Sequence, residues 1–211
     1  MSAAEKLEQG LGNLGLQLSP AARQSLLDFV SLLLKWNKTY NLTAIRTEDE
    51  AISHHLLDSL ALLPVLPESA LQGRRWADVG SGAGLPGIPL AIARPDVDMT
   101  LIETVEKKSA FQRQAKIELG LANVEVVCAR VESLPGGQYD AIVARAFAEL
   151  VEIIQLAGHL LRPCGRLYAM KGVLAREGVP ALPEGWTLAE CVRLRVPGLD
   201  AERHLIVVKK G

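Results

Sequence analysis

Residues 78–84 read Asp-Val-Gly-Ser-Gly-Ala-Gly, and this stretch decides the fold. An apolar run ending at Val79 precedes the glycines and a helix-forming stretch from Pro86 follows them. The loop therefore lies at the carboxyl end of a strand, where the chain turns into a helix. Open α/β sheets bind ligands at that edge. Gly80, Gly82 and Gly84 lack Cβ atoms, so the backbone can turn sharply there and approach a ligand closely. Asp78 is expected to supply a carboxylate beside the resulting pocket.

Towards the C-terminus, strand-like runs at 76–79, 99–103, 124–128, 141–144 and 166–170 alternate with helical stretches at 86–93, 105–119 and 149–161. Such alternation predicts parallel βαβ units with right-handed crossovers. The expected fold class is α/β: a Rossmann-like, mostly parallel, doubly wound sheet with helices on both faces. Runs 187–196 and 203–209 have no helix between them and should form an antiparallel C-terminal edge. Towards the N-terminus, Ser19-Pro20 reads as a helix cap with proline in the first turn, opening an amphipathic helix through Leu26, Leu27, Val30, Leu33 and Leu34. Thr47 and Glu50 form a capping-box pattern for a second helix, through Ile52, Leu56, Leu57, Leu60 and Leu63, which Pro64 should stop. The organisation expected is a helical extension over 1–70 packed on a core domain over 71–211.

The 211 residues are 49% hydrophobic and 22% charged, enough apolar surface for one well-packed core. A net charge of −1 excludes a chain coated in basic residues, so any nucleic-acid contact must be local. Basic clusters occur at Arg74-Arg75, at Lys107-Lys108 with Arg113 and Lys116, at Arg193 with Arg195, and at Lys209-Lys210. Cys128, Cys164 and Cys191 form no CxxC pair, which points to a reducing compartment. Residues 1–10 contain no apolar leader and no long apolar run follows, so a cytoplasmic location without a membrane partner is expected.

Residues 82–87, Gly-Ala-Gly-Leu-Pro-Gly, also spell the dinucleotide fingerprint. That reading starts two residues late, because Gly80 is the first loop glycine, and Pro86 removes a backbone donor that a pyrophosphate would use. The acid-x-Gly-x-Gly-x-Gly order instead resembles the first motif of class I methyltransferases. Their cofactor, S-adenosyl-L-methionine, carries no phosphate; it presents an ammonium, a sulfonium and a ribose diol. Glu103, last in the second strand, is placed to accept hydrogen bonds from both ribose hydroxyls. Val131 and Glu132, beyond the third strand, should frame the adenine, and Arg145 ends the fourth strand at the same edge.

Further matching segments are residues 35–38 (Lys-Trp-Asn-Lys), 40–43 (Tyr-Asn-Leu-Thr), 55–59 (His-Leu-Leu-Asp-Ser), 78–89, 145–147 (Arg-Ala-Phe), Lys171-Gly172, Leu199-Asp200 and 202–205 (Glu-Arg-His-Leu). Through them the chain resembles, over essentially its full length, the bacterial RsmG family, also called glucose-inhibited division protein B. The resemblance implies N7 methylation of one guanosine in the 530 loop of 16S rRNA, presented within the small ribosomal subunit or an assembly intermediate. It also implies a cofactor held by residues matching Gly80, Leu85, Val131, Glu132 and Arg145. No obligate protein partner is expected.

Guanine N7 carries an in-plane lone pair, so no general base is expected and catalysis can come from positioning by Arg145 and Lys171. Lys171, Arg203 and His204 are the expected RNA-backbone contacts. Cys164 lies in a turn with no partner base and is not expected to act as a nucleophile. His54, His55 and Asp58 have metal-like spacing but no further ligand, so no metal is expected; His55 and Asp58 should instead shape the cleft beside the sheet. Phe147, Tyr168 and Trp36 are the aromatic candidates for stacking on the guanine. Three alternatives stay open: a small-molecule methyltransferase with the same core, a non-catalytic RNA-binding or ribosome-assembly module, and a nicotinamide-dependent dehydrogenase that cofactor titration would separate.

Overall fold

The computed structural model describes residues 1–173 and 179–211. Among them, β1 (Arg75–Val79), β2 (Asp98–Glu103), β3 (Val124–Cys128), β4 (Tyr139–Arg145), β5 (Leu161–Lys171), β6 (Trp186–Leu194) and β7 (Arg203–Lys210) form one sheet in the order β3-β2-β1-β4-β5-β7-β6. The ladders joining β1 to β5 are parallel. The strand order reverses between β1 and β4, which places the glycine loop and Arg145 on either side of the switch point where such sheets open a crevice.

The C-terminal pair is antiparallel, as expected, but its last strand is not at the edge. β7 inserts between β5 and β6, antiparallel to both, and β6 takes the edge. Burial explains the order. Leu205, Ile206, Val207 and Val208 are consecutive buried residues, and a strand apolar on both faces belongs inside a sheet. Most of β6 is exposed.

Helices cover both faces. α1 (Ala3–Leu14), α2 (Pro20–Tyr40), α5 (Gly87–Ala93) and α6 (Glu106–Glu118) pack on one side, sharing a core with Trp76, Phe29 and Phe111; α7 (Leu150–Ala157) packs on the other, over Ala77, Val79 and Ile142. The helix α1 is closed by a capping box between Ser2 and Glu5, and it buries Leu7 and Leu11. Ser19 caps α2 as its sequence predicts, and α2 runs past Leu34 to Tyr40, ending on Asn41 in the left-handed region.

The second predicted helix is not uniform. It begins as α3 (Glu48–Ala51), widens to a π-helical stretch over Ile52–Leu57 and closes as α4 (Asp58–Leu60). Wide turns of this kind recur at functional sites, and His55 lies in this one with Asp58 immediately after it. No helix among the described residues is long and apolar enough to cross a membrane.

Candidate active site

The loop after β1 is held from beneath. Gly80, Gly82 and Gly84 all adopt positive φ, of 68°, 56° and 78°. A Cβ at Gly80 would overlap the Phe147 ring, so that glycine is required by close approach as well as by conformation. Asp78 does not stand beside the pocket. It is fully buried under the loop, where its Oδ2 accepts from the Gly87 N–H at 2.7 Å and ties the start of α5 to β1. Its Oδ1 has no hydrogen-bond partner among the described residues. Burial pushes the carboxyl up to about 7, against the pull of the Gly87 N–H. Gly84 likewise packs inward, against Ile88. Gln112 of α6 completes the support: its Nε2 donates to Ser81 Oγ and to Gly82 O, both at 2.8 Å. Sequence reasoning passed over Gln112; the available signal was a polar residue on the stripe of α6 that also carries Phe111 and Ala115.

Two adjoining chambers open above this loop, with Gly80, Lys108 and Ala146 bordering both. The first, of about 460 Å³, is lined by Ile102, Glu103, Val131, Glu132, Phe147 and Leu156 among others. Glu103 is fixed by backbone donors. Its Oε2 accepts from Gly82 N at 2.9 Å, and its Oε1 accepts from Thr104 N at 2.8 Å and Val105 N at 2.9 Å. The second chamber, of about 590 Å³, brings Gly80, Gly82, Leu85, His55, Asp58, Arg145, Lys171 and Arg203 to one cleft.

A charged network built from distant segments forms the wall of the second chamber. The Arg145 guanidinium donates through Nη1 to Asp58 Oδ2 at 2.6 Å and to His54 O at 2.9 Å. Asp58, buried at 3% exposure, accepts on its other oxygen from Arg203 Nε at 2.9 Å. Next to Arg145, Ala146 takes φ 52°, a strained value for a residue with a Cβ and of a kind that concentrates at functional sites.

His55 meets Thr43 Oγ1 through Nε2 at 2.9 Å and Arg145 Nη2 through Nδ1 at 3.4 Å. A neutral ring with its proton on Nε2 satisfies both neighbours, whereas an imidazolium would aim an N–H at a guanidinium. Burial, and next the Arg145 charge, push its pKa down to about 4, in agreement. Asn37 braces the segment bearing Thr43, donating to Ile45 O and accepting from Thr43 N, each at 2.9 Å. The Asn37, Thr43, His55, Asp58, Arg145 and Arg203 motifs, scattered along the chain, thus meet in one place.

Lys171 donates to Ala148 O and lies 3.5 Å from the Glu149 carboxylate. The His204 ring is 2.9 Å from Gly172 O through Nδ1, outside the residues lining the cleft. Of the three aromatic candidates only Phe147 borders a chamber. Tyr168 is buried and stacked on Trp76 with ring centres 4.9 Å apart, and Trp36 packs against Phe111 and Tyr40. Cys164 lies near the start of β5, at the opposite end of the sheet.

This donor set suits S-adenosyl-L-methionine. A glycine-lined floor allows close backbone approach, a fixed carboxylate can accept from hydroxyls, and Ile102, Val131 and Leu156 offer an apolar slot for a flat ring.

The family described as rRNA small subunit methyltransferase G matches residues 22–206. A ribosomal RNA small subunit methyltransferase G from Azoarcus sp. is 54% identical over 209 residues, covering 99% of this chain and 97% of that protein. Another with that name, from Aromatoleum aromaticum, is 55% identical over 216 residues, covering 100% of both. Among solved structures, a SAM-dependent methyltransferase from Aquifex aeolicus aligns with a TM-score of 0.59 at 17% identity, over 86% of this chain and 98% of that one. The [4+2]-cyclase SpnF aligns with a TM-score of 0.58 at 17% identity, over 92% and 98% of the two chains. At these identities the structural likeness establishes the Rossmann-like class I fold and leaves the reaction to the site.

Proposed function

The chain belongs to the rRNA small subunit methyltransferase G family, and from that premise we propose that it methylates N7 of one guanosine in the 530 loop of 16S rRNA. S-adenosyl-L-methionine is the methyl donor; when bound it supplies an electrophilic methyl group.

The observation that carries the N7 reading is that the buried acid–base groups of the cleft are already committed. Both Asp58 oxygens accept from guanidiniums, both His55 nitrogens are engaged, and the Glu103 oxygens accept from backbone N–H groups. These contacts tie each of them into the wall of the cleft, where none stands out as a general base. A nucleophile with its own lone pair needs none taken, which suits guanine N7, and leaves positioning as the protein's task.

In this reading Gly80, Gly82, Leu85, Glu103, Val131 and Glu132 hold the cofactor across the two chambers, while Asp78 and Gly84 act through the shape of the loop. Arg145 and Lys171 orient the guanine, whose O6 is a natural guanidinium acceptor beside N7. Arg203 keeps part of its guanidinium for RNA, since its Nε is on Asp58 and its Nη1 on Glu202 O; His204 supports the same edge. A chain of net charge −1 gains little from unspecific attraction to RNA, which favours a target loop presented by a folded small subunit or its precursor, in the cytoplasm.

The test is incubation with methyl-labelled adenosylmethionine and either small subunits lacking their native methylations or naked 16S RNA, followed by mapping of N7-methylguanosine. Label at a single guanosine of the 530 loop is expected. Cofactor binding without label in either substrate would move the reading to a small-molecule acceptor, and label at another base position would overturn the N7 assignment.

A further inference from the structure

Beyond Lys171 the carboxyl edge of the sheet carries basic side chains that the proposed contacts do not use. Lys171 of β5 lies in register opposite His204 of β7, and His204 lies opposite Arg193 of β6. Residues directly opposite one another in an antiparallel ladder share a face. The three side chains therefore form a row across three strands, at intervals of about 4.8 Å, the usual strand spacing. Burial continues to alternate past the end of β6: Arg193 exposed, Leu194 buried, Arg195 exposed, Val196 buried. Arg195 thus shares the Arg193 face, one pleat further on. β6 is antiparallel to β7, which is antiparallel to β5, so β6 ends at the same edge as the cleft.

These two arginines are available. The Arg193 side chain is 68% exposed and lies 4.0 Å from the exposed Glu202 carboxylate, a separation at which a surface pair contributes little. Arg195 makes no ion pair among the described residues. Scattered surface arginines are ordinary, but in a chain of net charge −1 these two continue a row that begins at Lys171, which lines the cleft.

We propose that Arg193 and Arg195 extend the RNA contact outward from the cleft, gripping the phosphodiester backbone of the single-stranded segment that flanks the methylated nucleotide. The inference rests on the RNA methyltransferase reading above. Backbone contacts of this kind set register and affinity without reading sequence.

The experiment is steady-state methylation of naked 16S RNA and of small subunits by the wild-type chain, by R193E/R195E, by the milder R193Q/R195Q, and by K209E/K210E as a control of equal charge change at the far end of β7. The expected result is a KM for RNA raised about 10-fold in the double Glu variant and about 3-fold in the double Gln variant, on both substrates. The cofactor Kd and kcat should hold, which also reports that the variants are folded. The salt dependence of log KM should become shallower by about 1.4, at about 0.7 per single-strand phosphate contact. K209E/K210E should leave KM unchanged. An unchanged KM in R193E/R195E, or an equal rise in K209E/K210E, would overturn the inference while leaving the function standing. A rise in KM on subunits with naked RNA methylated equally well by wild type and variant would overturn it in favour of a contact with ribosomal protein. No methylation by the wild-type chain would overturn the functional reading itself, and this inference with it.

Discussion

Asp58 is a carboxylate held between two guanidiniums whose side chains are 17% and 26% exposed. Breaking a fully buried pair costs about 3–5 kcal/mol, but water reaches these arginines, so Asp58→Asn is expected to cost about 1–2 kcal/mol in urea unfolding. Because Arg145 and Arg203 lose their anchor, kcat/KM on RNA should fall at least 10-fold, roughly the effect of a misplaced positioning group. Two groups give the fold a pH signature. Folded His55 titrates near 4 instead of 6.5, so its contribution to stability is present above pH 6.5 and is lost as pH falls towards 4. Folded Asp78 keeps its proton up to about 7 instead of 3.8, so its contribution is present below 3.8 and is lost as pH rises through 7. The slopes oppose each other between pH 4 and 6.5. Asp78→Asn removes one of them, and urea midpoints at pH 4.5, 6 and 8 should rise more steeply than in the parent, with the variant the more stable at pH 8; parallel curves would contradict the buried, half-orphaned carboxyl. The place of Glu103, Val131 and Arg145 at the carboxyl edge of the sheet was legible in the sequence because the strand pattern locates it. The Asp58 bridge was not, since its partners are 87 and 145 residues away and nothing in the spacing links them.

At the scale of elements, the join between β1 and α5 is the most constrained. A Cβ on Gly87 would overlap Leu101 and stand 2.8 Å from Asp78 Oδ2, the atom that the Gly87 N–H must reach. Alanine favours a helix over glycine by up to about 1 kcal/mol, while overpacking costs about 1–3 kcal/mol, so overpacking wins. Gly87→Ala should lower unfolding stability by about 1–2 kcal/mol and weaken cofactor binding in a titration at least tenfold; a stabilised variant would show that the loop is looser than its packing implies. The strands β1 to β5 and helix α2 were legible because short apolar runs alternate with helical stretches there and turns and caps agree with them. The helix α1 escaped notice, although Ser2 and Glu5 announce its start, because Gly10 and Gly12 dilute its pattern. The π-helical stretch was hidden because Ile52, Leu56, Leu57 and Leu60 suit an ordinary helix equally well. Placing β7 inside the sheet needs only its run of four apolar residues, which an edge strand would not bury.

At the scale of the whole molecule, the N-terminal helices and one face of the sheet share a single core that runs from Leu7 and Phe29 to Trp76, Phe111 and Val207. We propose that the division at residue 70 is therefore one of sequence texture and not of folding units. A fragment of residues 71–211 should expose that face, bind a hydrophobic dye and lose the cooperative transition shown by the full chain; an independently folded fragment would refute this. The position of β7 reaches further, into how the protein is made. Every other strand of the sheet leaves the ribosome before the one that must slide between β5 and β6, so during synthesis β5 presents an open edge and β6 has no ladder to join. A message cut short before codon 203 would thus yield not a slightly trimmed enzyme but a chain whose β5 edge stays open and whose β6 has nothing to pair with, a substrate for chaperones and proteases.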